Sequence, residues 1–408
     1  MMRTTIDKVK IKKVAGGVSA PIGYQSGGLH CGIRKEKLDL GWLISETPAD
    51  AFAVYTKNLF QAAPLKVTQA SLAVKQKLRG IIVNSGIANA CTGDRGLNDA
   101  YQMREQMAEK LTTESHYIAV ASTGLIGEFL PMDKVTKGIK AINFDQQSPG
   151  SFESAILTTD TREKKIALQM KIDDQVVTIG GAAKGSGMIN PNMATMLGFI
   201  TTDAVIDPIV LEQELKDQTN QSFNMITVDG DTSTNDTVVV MANGLANNQL
   251  LNRDHPEWLI FTEALSEVFQ FLAKEIARDG EGATKLVEVE VEGTETEADA
   301  RKMAKAVISS NLVKTAIHGA DANWGRIITA IGYSGVQFDP DQVIVKIGDK
   351  TVVENGLPKR FDEAELKHDL EQDEVKIFVK VGPSNQIARG WGCDLSYEYI
   401  RINALYRT

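Results

Sequence analysis

Histidine and cysteine are scarce in this chain, five and three residues respectively out of 408. Cys31, Cys91 and Cys393 lie far apart and none belongs to a CxxC pair. That argues against a zinc site or a disulfide framework and fits a reducing, cytoplasmic setting. His30, His116, His255, His318 and His368 sit in no nucleophile elbow and no H-E-x-x-H helix, so the usual general base and the usual metal ligand both lack a motif. His318, in "AIHGADANWGR", is the most suggestive of the five, because it follows a helical pattern in a polar turn; a capping role explains it equally well. No apolar run approaches the roughly 18 residues of a membrane helix, and "MMRTTIDKVKIKKVAGG" has no apolar core of the signal-peptide kind. The expectation is a soluble protein with no membrane partner. Basic residues are dispersed and the net charge is −9, so no nucleic-acid partner is expected either.

What the chain has is apolar content, 43% of its residues, enough for at least one large core. Valine- and isoleucine-rich runs recur along its length: "RGIIVNSG", "YIAVAS", "QVVTIGG", "DTVVVMANG", "LVEVEVEG", "VIVKIG" and "VKIFVKVG". They read as strands, several with one covered face. Between them are helical patterns, clearest in "EALSEVFQFLAKEIARDG", where Leu265, Val268, Phe269, Leu272 and Ile276 form one stripe and Asp279-Gly280 supplies the stop. "DAYQMREQMAEKL", "PMDKVTKGIKAI" and "ADARKMAKAVISSNLVKTAI" read likewise as helices, and "DQQSPGSFES" as a surface loop. The fold class is therefore α/β (α+β), with helices layered on sheets.

A glycine-rich run, "VVTIGGAAKGSGMINP", contains Lys184 and invites a phosphate-binding reading. It matches neither the P-loop nor the dinucleotide fingerprint, and Pro191 interrupts any helix that would follow. Polar, glycine-bearing turns recur at strand ends, in "VNSGIANACTGDRG", "ASTGLIGE", "LTTDTREK", "ITVDGDTSTNDT" and "DGEGATK". Each alone is ordinary turn chemistry. Together they suit a catalytic site poor in histidine and rich in threonine, with donors for an oxyanion.

These segments, with "KGSGMINPNMATML", "HGADANWGRI" and the terminal "INALYRT", resemble in order and over nearly the whole chain the ornithine acetyltransferase, or glutamate N-acetyltransferase, family of arginine biosynthesis. "TREK" after "TTD" and Gly198 in "MLGFI" depart slightly from it and remove no residue to which the family assigns chemistry. The resemblance implies self-cleavage between Ala194 and Thr195, giving chains 1–194 and 195–408 that share one catalytic unit. Thr195 then becomes the nucleophile. Its freed α-amine, with a pKa near 7.7–8, serves as its base. Thr123 and Gly124 would form the oxyanion hole, and Thr158, Lys184, Thr195, Glu281, Asn403 and Thr408 would contact substrate. The implied reaction moves an acetyl group from N2-acetyl-L-ornithine to L-glutamate, with acetyl-coenzyme A left open as a second donor and no cofactor or metal. The implied fold is a four-layer α/β/β/α sandwich akin to amidohydrolases with an N-terminal nucleophile. The implied assembly is a cytoplasmic heterotetramer of two beta and two alpha chains. The alternatives are a self-processed aminopeptidase or amidase of related fold, and a small-molecule-binding protein without catalysis. If the last strand of "LSYEYIRINALYRT" is tied into a sheet, Thr408 can reach the site.

Overall fold

The computed structural model describes residues 10–145, 150–190 and 196–405. β1 (Ile11–Val14), β2 (Tyr24–Leu29), β3 (Leu40–Tyr55), β4 (Lys77–Ile87), β5 (Ile118–Leu125), β6 (Lys164–Ile172), β7 (Gln175–Lys184), β8 (Leu197–Thr202) and β9 (Thr237–Ala242) are one hydrogen-bonded network. Their order is β1-β6-β7-β8-β9-β3-β4-β5, with β2 on β3. The long β3 joins its two halves. Leu40–Ile44 pairs with β2 and β4, Asp50–Tyr55 pairs with β9, and the register to β4 slips between Ile44 and Ala49. Pro48 lies in that slip, where a missing N–H breaks the ladder at least cost.

Because side chains alternate along each strand, the bent network closes on itself as two facing sheets. Leu43, Ile81, Val83, Ala119 and Ala121 of the β2-β3-β4-β5 half meet Ala51, Ala182, Leu197, Phe199, Val239 and Met241 of the other half in one buried cluster. Outside the first half, Trp42, Ile82 and Val120 pack on Val67, Met103 and Ile139. Those come from the helices Ala63–Lys75, Gly93–Leu111 and Met132–Ala141. Outside the second half, Phe52, Ile166, Ile179 and Val240 pack on Leu215, Val268 and Leu272, from the helices Pro208–Gln221 and Trp258–Arg278. The order is helix, sheet, sheet, helix, the four layers expected.

A further module follows that the expectation did not include. β10 (Leu286–Thr294), β11 (Ile344–Ile347), β12 (Lys350–Glu354), β13 (Leu357–Pro358), β14 (Glu374–Lys380) and β15 (Gln386–Cys393) form a six-stranded sheet in the order β13-β12-β11-β14-β10-β15. Val287, Val289 and Val291 of β10 face its core with Met303 and Val307 of the helix Glu297–Ser309. The stripe on Trp258–Arg278 is buried as its spacing requires, and this helix touches both the sandwich and β15 of the module.

Three local expectations need correction. The terminal "LSYEYIRINALYRT" is not a strand: Tyr397–Leu405 is a helix. Its alternating Tyr397, Tyr399 and Arg401 misled, while Ser396 receives the Glu398 N–H at 3.1 Å and Glu398 pairs with Arg401 one turn on. The helical run after Thr296 is broken at Ser310, whose hydroxyl caps a second helix, Asn311–His318, by accepting from Val313 N at 3.3 Å. In "DQQSPGSFES", Ser151–Ala155 is a helical turn that buries Phe152 edge-on against Phe199 rather than a surface loop; residues 146–149 lie outside the described residues. Among the described residues no helix is long and apolar enough to cross a membrane.

Candidate active site

The ends of β5, β7 and β8 open onto a cleft of about 180 Å³. Thr123 and Gly124 reach it from β5, Lys184 from β7, Thr158 from the turn after Ser151–Ala155, Glu281 from the loop after Trp258–Arg278, and Asn403 from the last helix. Met196 and Leu197 line it as well. Six residues singled out from five distant segments thus share one cleft with the residues that follow Thr195. Ala194, Thr195 and Thr408 lie outside the described residues.

The strand ends hold these groups by specific means. Gly124 has φ +132°, and a Cβ there would run into the backbone of Gly86 on β4; only glycine fits where the two parallel strands approach so closely. Thr123 is 8% exposed, and Lys184 Nζ donates to its hydroxyl at 3.2 Å. That contact occupies an acceptor site on the oxygen and leaves the hydroxyl proton free to point into the cleft. Burial lowers the Lys184 pKa below that of an ordinary lysine, although Asp160 opposes the shift.

Behind Lys184 sits a buried charge network. Lys164 Nζ donates to Asp160 Oδ1 at 2.7 Å and to Asp279 Oδ2 at 2.5 Å, all three side chains being 0–2% exposed. Burial would raise the Asp160 carboxyl, but the Lys184 and Lys164 ammoniums outweigh it and hold this acid well below the carboxylate range. The same carboxylate accepts from Gly185 N at 2.7 Å and Thr158 N at 3.0 Å, so it fixes the backbone at Thr158 and just after Lys184. Across the cleft Asn403 Nδ2 donates to Glu281 Oε2 at 2.8 Å. Gly187 lies directly on that carboxylate, in space a side chain would fill.

The loop between Ile226 and Thr237 completes the wall. Asp229 accepts from Met188 N at 2.7 Å and Ile189 N at 2.9 Å, clamping the end of the glycine-rich run. Asn235 Nδ2 donates to Ala88 O at 2.6 Å and Ser122 O at 2.8 Å. Asp160, Asp229, Asn235, Asp236 and Tyr399 were not among the expected site residues. The aspartates and Asn235 stood in turns already marked as polar, "LTTDT" and "ITVDGDTSTNDT", and only their acidity against a glycine-rich neighbour signalled more than turn chemistry. His318 is absent from the cleft lining; its Nδ1 lies 2.7 Å from Asp394 Oδ2. Among the described residues no cluster of histidine, cysteine and acidic side chains could hold a metal ion.

A four-layer sandwich whose cleft gathers threonine hydroxyls, a buried ammonium and opposed carboxylates, with no imidazole among its described lining residues, suits an acyl-transferring enzyme. The ArgJ family model matches residues 25–408. The chain belongs to the ArgJ family and is an acyltransferase of arginine biosynthesis. It is 56% identical over 408 residues to the arginine biosynthesis bifunctional protein ArgJ of Oceanobacillus iheyensis, covering 100% of both chains. It is 55% identical over 399 residues to the Bacillus subtilis protein of the same name, covering 98% of each. A crystal structure of the Bacillus halodurans arginine biosynthesis bifunctional protein ArgJ matches with a TM-score of 0.51 and 54% identity, over 52% of this chain and 100% of that one.

Proposed function

We propose that this enzyme transfers the acetyl group of N2-acetyl-L-ornithine to L-glutamate through an acetyl-threonine intermediate on Thr195, and that acetyl-coenzyme A serves as its second donor. The observation that carries the reading is the convergence of Thr123, Gly124, Thr158, Lys184, Glu281 and Asn403 on the cleft where Met196 emerges. The nucleophile is freed by cleavage between Ala194 and Thr195, so that chains 1–194 and 195–408 together form one catalytic unit. The solved B. halodurans chain supports this division: it is covered completely by 52% of the present chain, and residues 195–408 are 214 of 408, the same share. Two such pairs in a cytoplasmic heterotetramer complete the proposal.

The chemistry follows from the site. Thr195 Oγ attacks the acetyl carbonyl while its own α-amine takes the hydroxyl proton. The Thr123 hydroxyl and the Gly124 backbone N–H serve the oxyanion, a donor of this kind being worth about 2.7–4 kcal/mol in the barrier. Ornithine leaves with the proton, and the amine of glutamate then attacks the acetyl-threonine. Both amino acids present a carboxylate and an ammonium. The Lys184 ammonium suits the first and the Glu281 carboxylate, oriented by Asn403, suits the second. Thr158, held by Asp160, and Thr408 complete the substrate contacts.

The test is Thr195→Ala. The variant should run as one species of 44.4 kDa under denaturing conditions and transfer no acetyl group from either donor, while the wild type gives two chains. Two chains from the variant, or residual transfer near the wild-type rate, would sink the assignment.

A further inference from the structure

No described residue between Glu281 and Tyr399 lines the cleft, so the whole six-stranded module stands outside it. The two segments that carry the Glu281 and Asn403 pair nevertheless run into its sheet. Glu281 lies in the loop that leads to β10, and Asn403 in the helix Tyr397–Leu405 that follows β15. β10 and β15 are antiparallel neighbours with Leu286 opposite Cys393, so the two segments meet side by side where the sheet ends.

Asp394 and Ser396 fill that meeting point. Asp394 is 3% exposed; its Oδ1 accepts from Thr284 N at 2.8 Å and Lys285 N at 2.9 Å, and its Oδ2 accepts from the Thr284 hydroxyl at 2.7 Å. Its own N–H returns to Lys285 O at 3.3 Å. Burial would raise the Asp394 carboxyl, but the bonds from Thr284 and His318 outweigh it and keep this acid below the ordinary carboxylate range. Two residues on, the Ser396 hydroxyl donates to Gly282 O at 2.5 Å and accepts from Glu398 N at 3.1 Å, which ties the loop to the first turn of the last helix. Gly282 has φ +70°, and a Cβ there would come within 2.5 Å of Tyr399 N, so only glycine lets the two segments approach this closely. The helix Asn311–His318 backs the arrangement: Lys314 Nζ donates to Cys393 O at 2.6 Å, and His318 Nδ1 sits 2.7 Å from Asp394 Oδ2.

We propose that Asp394 and Ser396 are positioning residues for substrate recognition: they fix the Glu281 carboxylate against Asn403, and through them the module sets the part of the cleft that takes the ammonium of N2-acetylornithine. The proposal rests on the reading of Glu281 as a substrate contact. In this donor the α-nitrogen is an amide, so the side-chain ammonium is its cation and lies away from the acetyl carbonyl that reacts. Displacing Glu281 then weakens the hold on substrate and transition state alike, which raises KM and leaves kcat in place.

Asp394→Ala should raise KM for N2-acetylornithine about 10–100-fold, the scale of lost hydrogen bonds to a charged group, with kcat within about threefold of wild type. Asp394→Asn should recover most of the loss, because its amide oxygen still accepts from Thr284 N and Lys285 N. In a Glu281→Gln background, Asp394→Ala should add less than about threefold, since the group it positions is gone. Wild-type KM in Asp394→Ala overturns the proposal. So does a full effect of Asp394→Ala in the Glu281→Gln background, which a general loosening of the fold would give. Should Asp394→Ala not fold, Ser396→Ala decides: KM about 3–10-fold higher with kcat held supports the positioning role, and wild-type KM overturns it. The two readings fail separately: wild-type KM in Glu281→Gln removes Glu281 as a substrate contact, whereas a raised KM there beside wild-type KM in Asp394→Ala removes only the positioning.

Discussion

The sandwich and the six-stranded module both carry ion pairs, and they use them in opposite ways. In the sandwich, Asp160, Lys164 and Asp279 are sealed at 0–2% exposure behind the cleft. In the module, Glu288, Glu290 and Glu292 of β10 meet Lys274, Arg389 and Lys380 on a face where those partners are 33–45% exposed. Val287, Val289 and Val291 fill the other face of the same strand. Buried charges are costly to desolvate and are weak evidence of stability in themselves. Their presence beside Lys184 and Thr158 marks the part of the fold where position matters more than economy, and the module shows what the same chain does where it does not.

The sharpest way to break this contrast is Lys164→Met. It leaves Asp160 and Asp279 facing each other without their shared cation, and breaking a buried pair in this manner costs about 3–5 kcal/mol. The urea midpoint should fall accordingly, and transfer by the surviving folded fraction should fall too, because Asp160 also holds Gly185 N and Thr158 N. A variant as stable and as active as the wild type would show that the network is ornamental.

Much of this was legible in the sequence, for physical reasons that also mark where legibility ended. The period of two in "LVEVEVEG" and the stripe from Leu265 to Ile276 gave β10 and its neighbouring helix correctly, since each has one face in a core. The resemblance supplied the four layers and named Thr123, Gly124, Thr158, Lys184, Glu281 and Asn403, which the fold then brings to one cleft. Pattern alone could not see that β3 serves two sheets, because the turn at Pro48 is a register slip rather than a loop. It took the last helix for a strand because aromatic alternation outweighed local capping. It passed over Asp160, Asp229 and Asp236 because an aspartate in a polar turn looks the same whether it caps a backbone N–H or lines a site.

Lys305 sits at the seam between the two regions and sharpens the comparison. It belongs to the helix Glu297–Ser309 of the module, and its ammonium donates to Ile226 O, at the start of the loop that walls the cleft, at 2.7 Å. Burial brings its pKa from 10.5 down to about 7. Between those values the unfolded chain binds a proton that the folded chain does not, so this group makes stability rise with pH, by up to about 1.4 kcal/mol per pH unit. Below pH 7 both states are protonated and the slope vanishes. Unfolding free energies measured from pH 7 to 9 should rise more steeply for the wild type than for Lys305→Met. Parallel curves would place this lysine with the solvated charges of the module.

The smallest effect belongs to the module's own pairs. Arg389 and Glu290 are partners across β15 and β10, at 45% and 24% exposure. An exposed pair of this kind contributes about 0.2–1 kcal/mol and is screened by salt. Arg389→Gln should therefore lower the urea midpoint slightly in dilute buffer and hardly at all near 1 M salt, where the Debye length is about 3 Å. What holds β10 in place is the opposite face, where Val289 and Val291 are fully buried against the helix Glu297–Ser309. A loss of several kcal/mol from Arg389→Gln, persisting in high salt, would show that the glutamate face of β10 is as desolvated as the network behind the cleft, and would erase the distinction between the two regions.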